Sequence, residues 1–143
     1  VVLLSGHLGN LQVMKDAARE LMAELPDLPV LHICYPNMKA ICQGVTETPF
    51  WNGTVFHAGE AETSMILAEA PHLCKMELAP CEYPEVPTAF EFRPYPWRSF
   101  SATGVFGDAR PSTAEKGRAL IERLIRYMSD IVIQALMLSG ADK

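Results

Sequence analysis

The chain has 143 residues, a length typical of one domain, with 49% hydrophobic and 20% charged residues, the balance of a globular protein. The net charge is -5 and basic residues form no block, which argues against nucleic acid and against an anionic membrane surface as partners. No hydrophobic run approaches the roughly 20 residues that a membrane-spanning helix needs.

The first three predicted elements are a strand, a helix and a strand. Residues 1–4 form a short hydrophobic run, which predicts a strand buried on both faces. From Asn10 onward hydrophobic residues recur at steps of three and four, which predicts a helix that Pro26 ends. Residues 30–35 form a second strand-like run. A βαβ unit with short links predicts an α/β fold with a mainly parallel sheet.

The middle of the chain is predicted to be less regular. Residues 36–55 have no clean period, which predicts a long loop with at most one helical turn, and loops of this kind are usually functional. Residues 60–70 predict a buried helix that Pro71 stops. Residues 73–100 contain five prolines and predict an irregular arm.

A long helix is predicted at the end of the chain. Ser112, with Glu115 three residues later, has the pattern of a capping box at its start. The hydrophobic residues that follow predict one stripe facing the core: Leu120, Ile121, Leu124, Ile125, Met128, Ile131, Val132 and Ala135.

Four cysteines occur, and none of them forms a Cys-x-x-Cys pair, so a thiolate zinc site has no support. We interpret Cys34, Cys42, Cys74 and Cys81 as free, small core residues. This usage indicates a reducing compartment, and we expect a cytoplasmic location.

His7 stands in the turn "SGHLG" after the first predicted strand. The carboxyl ends of parallel strands are where open α/β sheets place their ligands, and Gly6 and Gly9 let the backbone approach a ligand closely. His7 is therefore a candidate metal ligand. The alternative is a turn histidine that is hydrogen-bonded to the backbone.

The stretch "HAGEAETS" places His57, Glu60 and Glu62 where a loop enters a helix. We expect Glu60 to be an exposed acid of the first helical turn. Glu62 is followed by hydrophobic residues and is expected to be buried, where a carboxylate needs a cation or several donors. A metal ion meets that need, and His57 could then give or take protons beside it.

Three motifs together resemble the carboxyl-terminal part of the creatininase family of amidohydrolases. They are "SGHLGN", "HAGEAETSMILAEAP" and "SATGVFGDARPSTAEKG", in this order and spacing. The corresponding family patterns are N-G-H-G-G-N, H-A-G-E-x-E-T-S and A-T-G-V-x-G-D-P-x-x-A-x-x-E-K-G. The resemblance implies a creatininase-like, three-layer α/β/α fold.

The resemblance also implies roles for four residues. His7 and Glu62 would be metal ligands, His57 would lie near the scissile amide, and Trp51 would face the substrate. The metal would be one or two divalent ions, most often zinc, with manganese or iron as alternatives. Metal-activated water would hydrolyse a non-peptide C–N bond in a small cyclic amide or formamide. The family also implies a homo-oligomer, often a hexamer.

The sequence departs from the family pattern at four positions. Leu8 replaces a glycine, Ser5 replaces an asparagine, and Phe56 stands where creatininase has an acid. Gly9 stands where creatininase has a glutamate that serves its exchangeable metal site. The change at Gly9 argues against specificity for creatinine itself.

We expect residues 1–143 to form a single domain that corresponds to the carboxyl-terminal portion of such an enzyme. The family's amino-terminal segment, with a Glu-x-His pair and a later aspartate, would supply the other metal ligands. One hypothesis is a metal-dependent amidohydrolase. The alternative is a non-catalytic fragment or subunit that needs a partner chain to complete the metal site. A third is a small-molecule-binding α/β domain without chemistry.

Overall fold

The computed structural model describes residues 1–49 and 57–141, which divide into two compact units. The first unit contains residues 1–38 and the chain from Glu122 onward. The second unit contains residues 39–121. In the described ranges, no helix has the length and hydrophobicity needed to cross a membrane.

The first unit contains the predicted βαβ arrangement. Strand β1 (Val2–Ser5) is followed by helix α1 (Leu11–Glu24) and strand β2 (Leu31–Cys34). β1 and β2 pair in parallel, with Val2 opposite Leu31. Helix α1 packs against β2. The prediction of an α/β fold with parallel strands is confirmed.

The predicted burial of β1 on both faces is wrong. Val2 is 45% exposed and Leu4 is 65% exposed, while the alternate residues Leu3 and Ser5 are half-buried. Successive side chains of a strand point to opposite faces, so this alternation marks a strand covered on one face within the described residues.

A short helix, α2 (Met38–Cys42), lies in the predicted loop, and all of it except Met38 belongs to the second unit; Met38, Ile41 and Cys42 are buried. Helix α3 (Glu60–Glu69) lies within one residue of its predicted bounds. It is covered mainly near its start, at Glu60, Ala61 and Ser64.

The arm after α3 is as irregular as its prolines predict. It contains short 3₁₀ turns at Pro71–Leu73, Met76–Leu78, Thr88–Glu91 and Trp97–Ser99. Strand β3 (Cys81–Glu82) pairs antiparallel with β4 (Gly107–Asp108). The cysteines are free as predicted, but only Cys42 is buried, and Cys81 is exposed.

The last helix, α4 (Ala114–Ala141), begins one residue later than the predicted cap requires. Thr113, not Ser112, caps it, because the hydroxyl of Thr113 accepts a hydrogen bond from the backbone N–H of Lys116 at 3.2 Å. The buried hydroxyl of Ser112 instead donates to the carbonyl of Glu60 at 3.1 Å.

The hydrophobic stripe of α4 is only partly covered. Leu120 and Leu124 are buried, but Ile125 is 56% exposed, so the predicted core-facing stripe is wrong at that position. Near its start, α4 approaches the backbone of α3 at Gly117. A Cβ atom at Gly117 would lie 1.9 Å from the carbonyl oxygen of Ser64, so only glycine allows this approach.

Candidate active site

His7 lies in the first unit, in the turn between β1 and α1. It precedes the 3₁₀ turn Leu8–Asn10, and its ring caps that turn by accepting the backbone N–H of Gly9 at Nδ1, at 3.0 Å. The backbone N–H of His7 donates to the hydroxyl of Ser5 at 3.2 Å, and the backbone carbonyl of His7 accepts from the thiol of Cys34 at 3.3 Å. The sequence "SGHLGN" therefore folds into a turn that is closed by its own polar groups.

This conformation of His7 has a consequence for metal binding. An N–H group occupies the lone pair of Nδ1, so the neutral ring carries its proton on Nε2. Neither ring nitrogen then has a lone pair free for a metal ion. To act as the predicted metal ligand, His7 would have to give up its hydrogen bond with Gly9.

His57 lies in the second unit, directly before the turn that begins α3. Its Nδ1 lies 2.8 Å from the carbonyl oxygen of Gly104, and its own carbonyl accepts the N–H of Phe106 at 2.8 Å. A carbonyl oxygen only accepts hydrogen bonds, so Nδ1 must carry the ring proton. The lone pair of Nε2 is thus left to take a proton or to bind a cation.

Aromatic rings hold the imidazole of His57 on its other sides. The ring of Trp97 meets it edge-on, with centroids 4.8 Å apart, and the ring of Phe106 lies 6.2 Å away. Phe106 is 2% exposed, so the imidazole rests against the core of the unit. This packing limits rotation of the ring about its side-chain bonds.

Glu62 is the predicted site residue that the structure brings close to His57. The backbone N–H of Ala58, the residue after His57, donates to Oε2 of Glu62 at 2.5 Å. Ala58 has φ +53°, a left-handed conformation that is strained for a residue with a side chain. A carboxylate has about four acceptor positions, so Glu62 keeps the capacity to bind a cation as well.

The expected burial of the two glutamates is reversed. Glu62 is half-buried, whereas the side chain of Glu60 is fully covered. The cation that satisfies Glu60 is Lys116, whose Nζ lies 2.7 Å from Oε1. The other donors to Glu60 are the backbone N–H groups of Glu47 and Thr48 and the hydroxyl of Thr48, at 2.7 to 3.0 Å.

The protonation of this buried pair follows from its hydrogen bonds. Burial raises the pKa of Glu60, but the bonds from Lys116 and Thr48 outweigh burial and hold the pKa below its ordinary value. Burial lowers the pKa of Lys116, yet Glu47 and Glu60 raise it above its ordinary value. Both groups are therefore charged at neutral pH, and the pair joins residues 47–48 to the starts of α3 and α4.

A second carboxylate, Glu82 at the end of β3, binds the loop of residues 101–104. The hydroxyl of Thr103 and the backbone N–H of Ala102 donate to it and lower its pKa to about 2. Asp108, which pairs with Arg110 at 2.7 Å, also has a pKa lowered to about 2. Both carboxylates keep their charge far below neutral pH.

We expect the second unit to lose stability in acid because of these carboxylates. Their folded-state pKa values are depressed, so their contribution is complete above the ordinary Glu82 value of 4.5 and is lost as pH falls toward about 2. Urea unfolding between about pH 7 and about pH 2.5 measures this loss. Glu82→Gln should make the free energy of unfolding less dependent on pH, whereas the exposed control Glu85→Gln should leave that dependence unchanged. The same pH dependence in the unchanged protein and in both variants would contradict the stabilising role of Glu82.

The predicted metal site is incomplete within the described part of the chain. In residues 1–49 and 57–141, no group of three or more His, Cys, Asp and Glu side chains could hold a metal ion. The predicted ligands have suitable donor chemistry for a divalent ion, but two ligands are fewer than a catalytic site normally has. Trp51 and Phe56 lie outside the described residues.

Sequence reasoning missed three residues that build this region. Lys116 and Gly117 are the last two residues of the motif "PSTAEKG", and Glu82 lies in the proline-rich arm. The pair Lys-Gly at a helix start was a usable signal, because a glycine inside a helix is unfavourable unless something packs closely there. Nothing in the local sequence distinguished Glu82 from the other acids of the arm.

Comparison with known proteins gives a consistent result. The family model described as Creatininase, creatinine amidohydrolase, matches residues 1–132. Among solved structures, a single-residue mutant of creatininase of the Zn-Zn type has a TM-score of 0.74 and 25% identity, over 93% of this chain and 55% of that chain. The manganese form of creatininase gives the same four values.

A further structure, of creatinine amidohydrolase (creatininase), has a TM-score of 0.74 and 26% identity over 93% of this chain and 54% of that chain. The chain thus spans about half the length of these relatives. Comparison with curated proteins finds no match. Because the family model covers nearly all of the sequence and the similar structures share the fold, the chain belongs to the creatininase family.

Proposed function

We propose that this chain works in the hydrolysis of C–N bonds in small amides, as a metal-dependent amidohydrolase. Family membership and the likeness to creatininase support this function. The observation that carries it is the arrangement of His57, whose Nδ1 is engaged by the Gly104 carbonyl and which stands directly before a turn that is held by the Glu62 carboxylate. Cyclic amides and formamide-type compounds are the substrate class we propose.

We propose His57 as the group that transfers protons during amide hydrolysis. A neutral imidazole with its proton on Nδ1 can accept a proton at Nε2 and later return it to the leaving nitrogen. Its bond to the Gly104 carbonyl and its packing against Trp97 keep Nε2 aimed in one direction. Trp51 remains the proposed substrate-facing residue.

The proposed cofactor is a divalent metal, zinc first, with manganese or iron as alternatives. Creatininase structures of the Zn-Zn type and of the manganese form are among the similar structures, which supports this choice. We propose His7 and Glu62 as two of its ligands. When bound, such an ion polarises the amide carbonyl and lowers the pKa of a water molecule. A homo-oligomer, in the family a hexamer, and a cytoplasmic location are further proposals.

A second candidate function is a subunit or fragment that is active only with a partner polypeptide. The observation that favours it is the missing third ligand in residues 1–49 and 57–141. Under this hypothesis the chain supplies His7, His57 and Glu62, and another polypeptide supplies the remaining ligands. We propose that residues 1–143 are one domain, equivalent to the carboxyl-terminal portion of a creatininase.

Metal titration and a hydrolysis assay test these proposals together. Purified chain is titrated with Zn²⁺ or Mn²⁺ by calorimetry, then assayed for hydrolysis of creatinine, other cyclic amides and formamide. We expect His57→Ala to lower the rate about 100-fold or more, because general acid–base catalysis contributes at least that much. His7→Ala and Glu62→Ala should weaken metal binding.

The exposed His72 provides the matched control, and His72→Gln should leave rate and metal affinity unchanged. Metal binding and turnover by the chain alone support the first function. The second function predicts activity only after addition of a polypeptide equivalent to the rest of a creatininase. Full turnover by His57→Ala would contradict both.

A further inference from the structure

The carboxylate of Glu82 accepts hydrogen bonds from several polar groups of one short loop, residues 101–104. Its Oε1 accepts the backbone N–H of Ala102 at 2.8 Å. Its Oε2 accepts the backbone N–H of Thr103 at 2.8 Å and the hydroxyl of Ser101 at 3.0 Å, and the hydroxyl of Thr103 donates to it as well. Four donors from three consecutive residues therefore converge on one side chain.

The hydroxyl groups of Ser101 and Thr103 extend this hydrogen-bonded arrangement to the next residues of the loop. Each has a single proton, which it donates to Glu82, so each is left as an acceptor for a backbone group. The hydroxyl of Ser101 accepts the N–H of Gly104 at 2.8 Å, and the hydroxyl of Thr103 accepts the N–H of Val105 at 3.1 Å. The two peptide groups that flank the Gly104 Cα are thus fixed, and one of them carries the Gly104 carbonyl.

Gly104 ends the loop in a conformation that suits glycine, with φ +78°. Its carbonyl oxygen accepts the Nδ1 proton of His57 at 2.8 Å. The position of that oxygen decides which ring nitrogen of His57 carries the proton. An unbroken series of hydrogen bonds therefore runs from Glu82 through the loop to the imidazole.

We infer that Glu82 is a positioning residue for His57: it holds the loop of residues 101–104 so that the Gly104 carbonyl keeps the proton of the neutral imidazole on Nδ1, with the lone pair on Nε2. The inference rests on the proposed function only for its consequence in catalysis. The tautomer of His57 is a property of the chain whether or not His57 transfers protons.

A purely structural role for Glu82 makes a different prediction. Glu82 also lies in β3, which pairs with β4, so its loss could weaken the fold alone. In that case variants that still fold would keep the hydrogen bond between His57 and Gly104. The tautomer therefore separates positioning from general stability.

Nitrogen-15 NMR of the histidine side chains in the whole chain tests the inference. We expect His57 of the unchanged protein to show the proton on Nδ1 at neutral pH, with its signal assigned from a His57→Gln spectrum. Glu82→Ala should convert it to a mixture of both tautomers. Glu82→Gln keeps one acceptor oxygen and should give a smaller change. Glu85→Gln, an exposed control in the same arm, should give none.

Kinetics on the same variants add a second readout. Glu82→Ala should lower kcat about tenfold or more with little change in KM, because loss of the partner that orients a functional histidine typically has effects of this size. If Glu82→Ala does not fold, the tautomer of His57 in Glu82→Gln provides the test. A His57 that stays protonated on Nδ1 alone in every folded Glu82 variant overturns the inference. If the Glu82 variants change the tautomer of His57 but the His57→Ala variant keeps full activity, the proposed function is overturned and the inference about Glu82 stands.

Discussion

Replacing Lys116 with methionine is expected to destabilise the second unit by about 3 kcal/mol or more. The substitution keeps most of the side-chain volume but leaves the fully covered carboxylate of Glu60 without its cation. Removing one partner of a buried ion pair strands a charge in a medium that solvates it poorly, which costs about 3–5 kcal/mol. Urea unfolding at neutral pH, followed by circular dichroism, measures the change.

Two further variants show whether the loss comes from the stranded charge. Glu60→Gln combined with Lys116→Met removes both charges and should recover part of the lost stability. Lys75→Met, at an exposed lysine, should change the free energy of unfolding by about 0.5 kcal/mol or less. A change that small for Lys116→Met itself would show that the pair does not hold the unit together.

Replacing Gly117 with alanine should also destabilise the protein, by about 2 kcal/mol or more, although alanine favours helices. Alanine in an unobstructed helix stabilises by about 1 kcal/mol relative to glycine. At Gly117 the added Cβ would lie 1.9 Å from the Ser64 carbonyl oxygen and 2.5 Å from its carbon, so α3 and α4 must move apart. Overpacking of this kind costs about 1–3 kcal/mol, occasionally more, and a cost at the upper end outweighs the helix propensity of alanine.

The thermal midpoint of the Gly117→Ala variant measures this effect. Ser129→Ala, at an exposed position of the same helix, is the control and should have almost no effect. Adding Ala68→Gly relieves the second obstacle, the Ala68 side chain at 2.9 Å, but leaves the Ser64 backbone in place. Full recovery by Ala68→Gly would show that the clash with the backbone is not decisive.

The βαβ arrangement could be predicted from the sequence because its signals are local. Hydrophobic residues that recur at steps of three and four define α1, and Pro26 ends it. A short hydrophobic run on each side of this helix predicts a strand. The exposure of Val2 and Leu4 could not be predicted in the same way. It depends on which element covers each face of β1, and the run of residues 1–4 carries no information on that.

The roles of Glu60 and Glu62 show why the site was harder to predict than the fold. Local neighbours indicated that Glu62 was the buried acid. The deciding partner, Lys116, lies 56 residues away from Glu60, and only the packing of α4 brings them together. The predicted cap of α4 was wrong for a related reason. Ser112 has the sequence pattern of a cap, but its hydroxyl donates a hydrogen bond to a distant partner, the Glu60 carbonyl.

The position of His7 was predictable, but the state of its ring was not. The motif placed the histidine in the turn after β1, where it lies. Its bond to Gly9 depends on a side-chain rotamer and on the space left by a missing Cβ, which would lie 2.7 Å from the ring. The same holds for His57, whose tautomer is set by a carbonyl 47 residues later.

The left-handed conformation of Ala58 affects how the site can change in evolution. Glu62 holds that turn and is also the proposed ligand, so a substitution at position 62 disturbs two properties at once. Glycine at position 58 would adopt the same conformation without strain and would make the turn less dependent on Glu62. Ala58→Gly is therefore permissive for the turn alone: after it, exchange of Glu62 would still remove the proposed ligand but would no longer release a strained backbone.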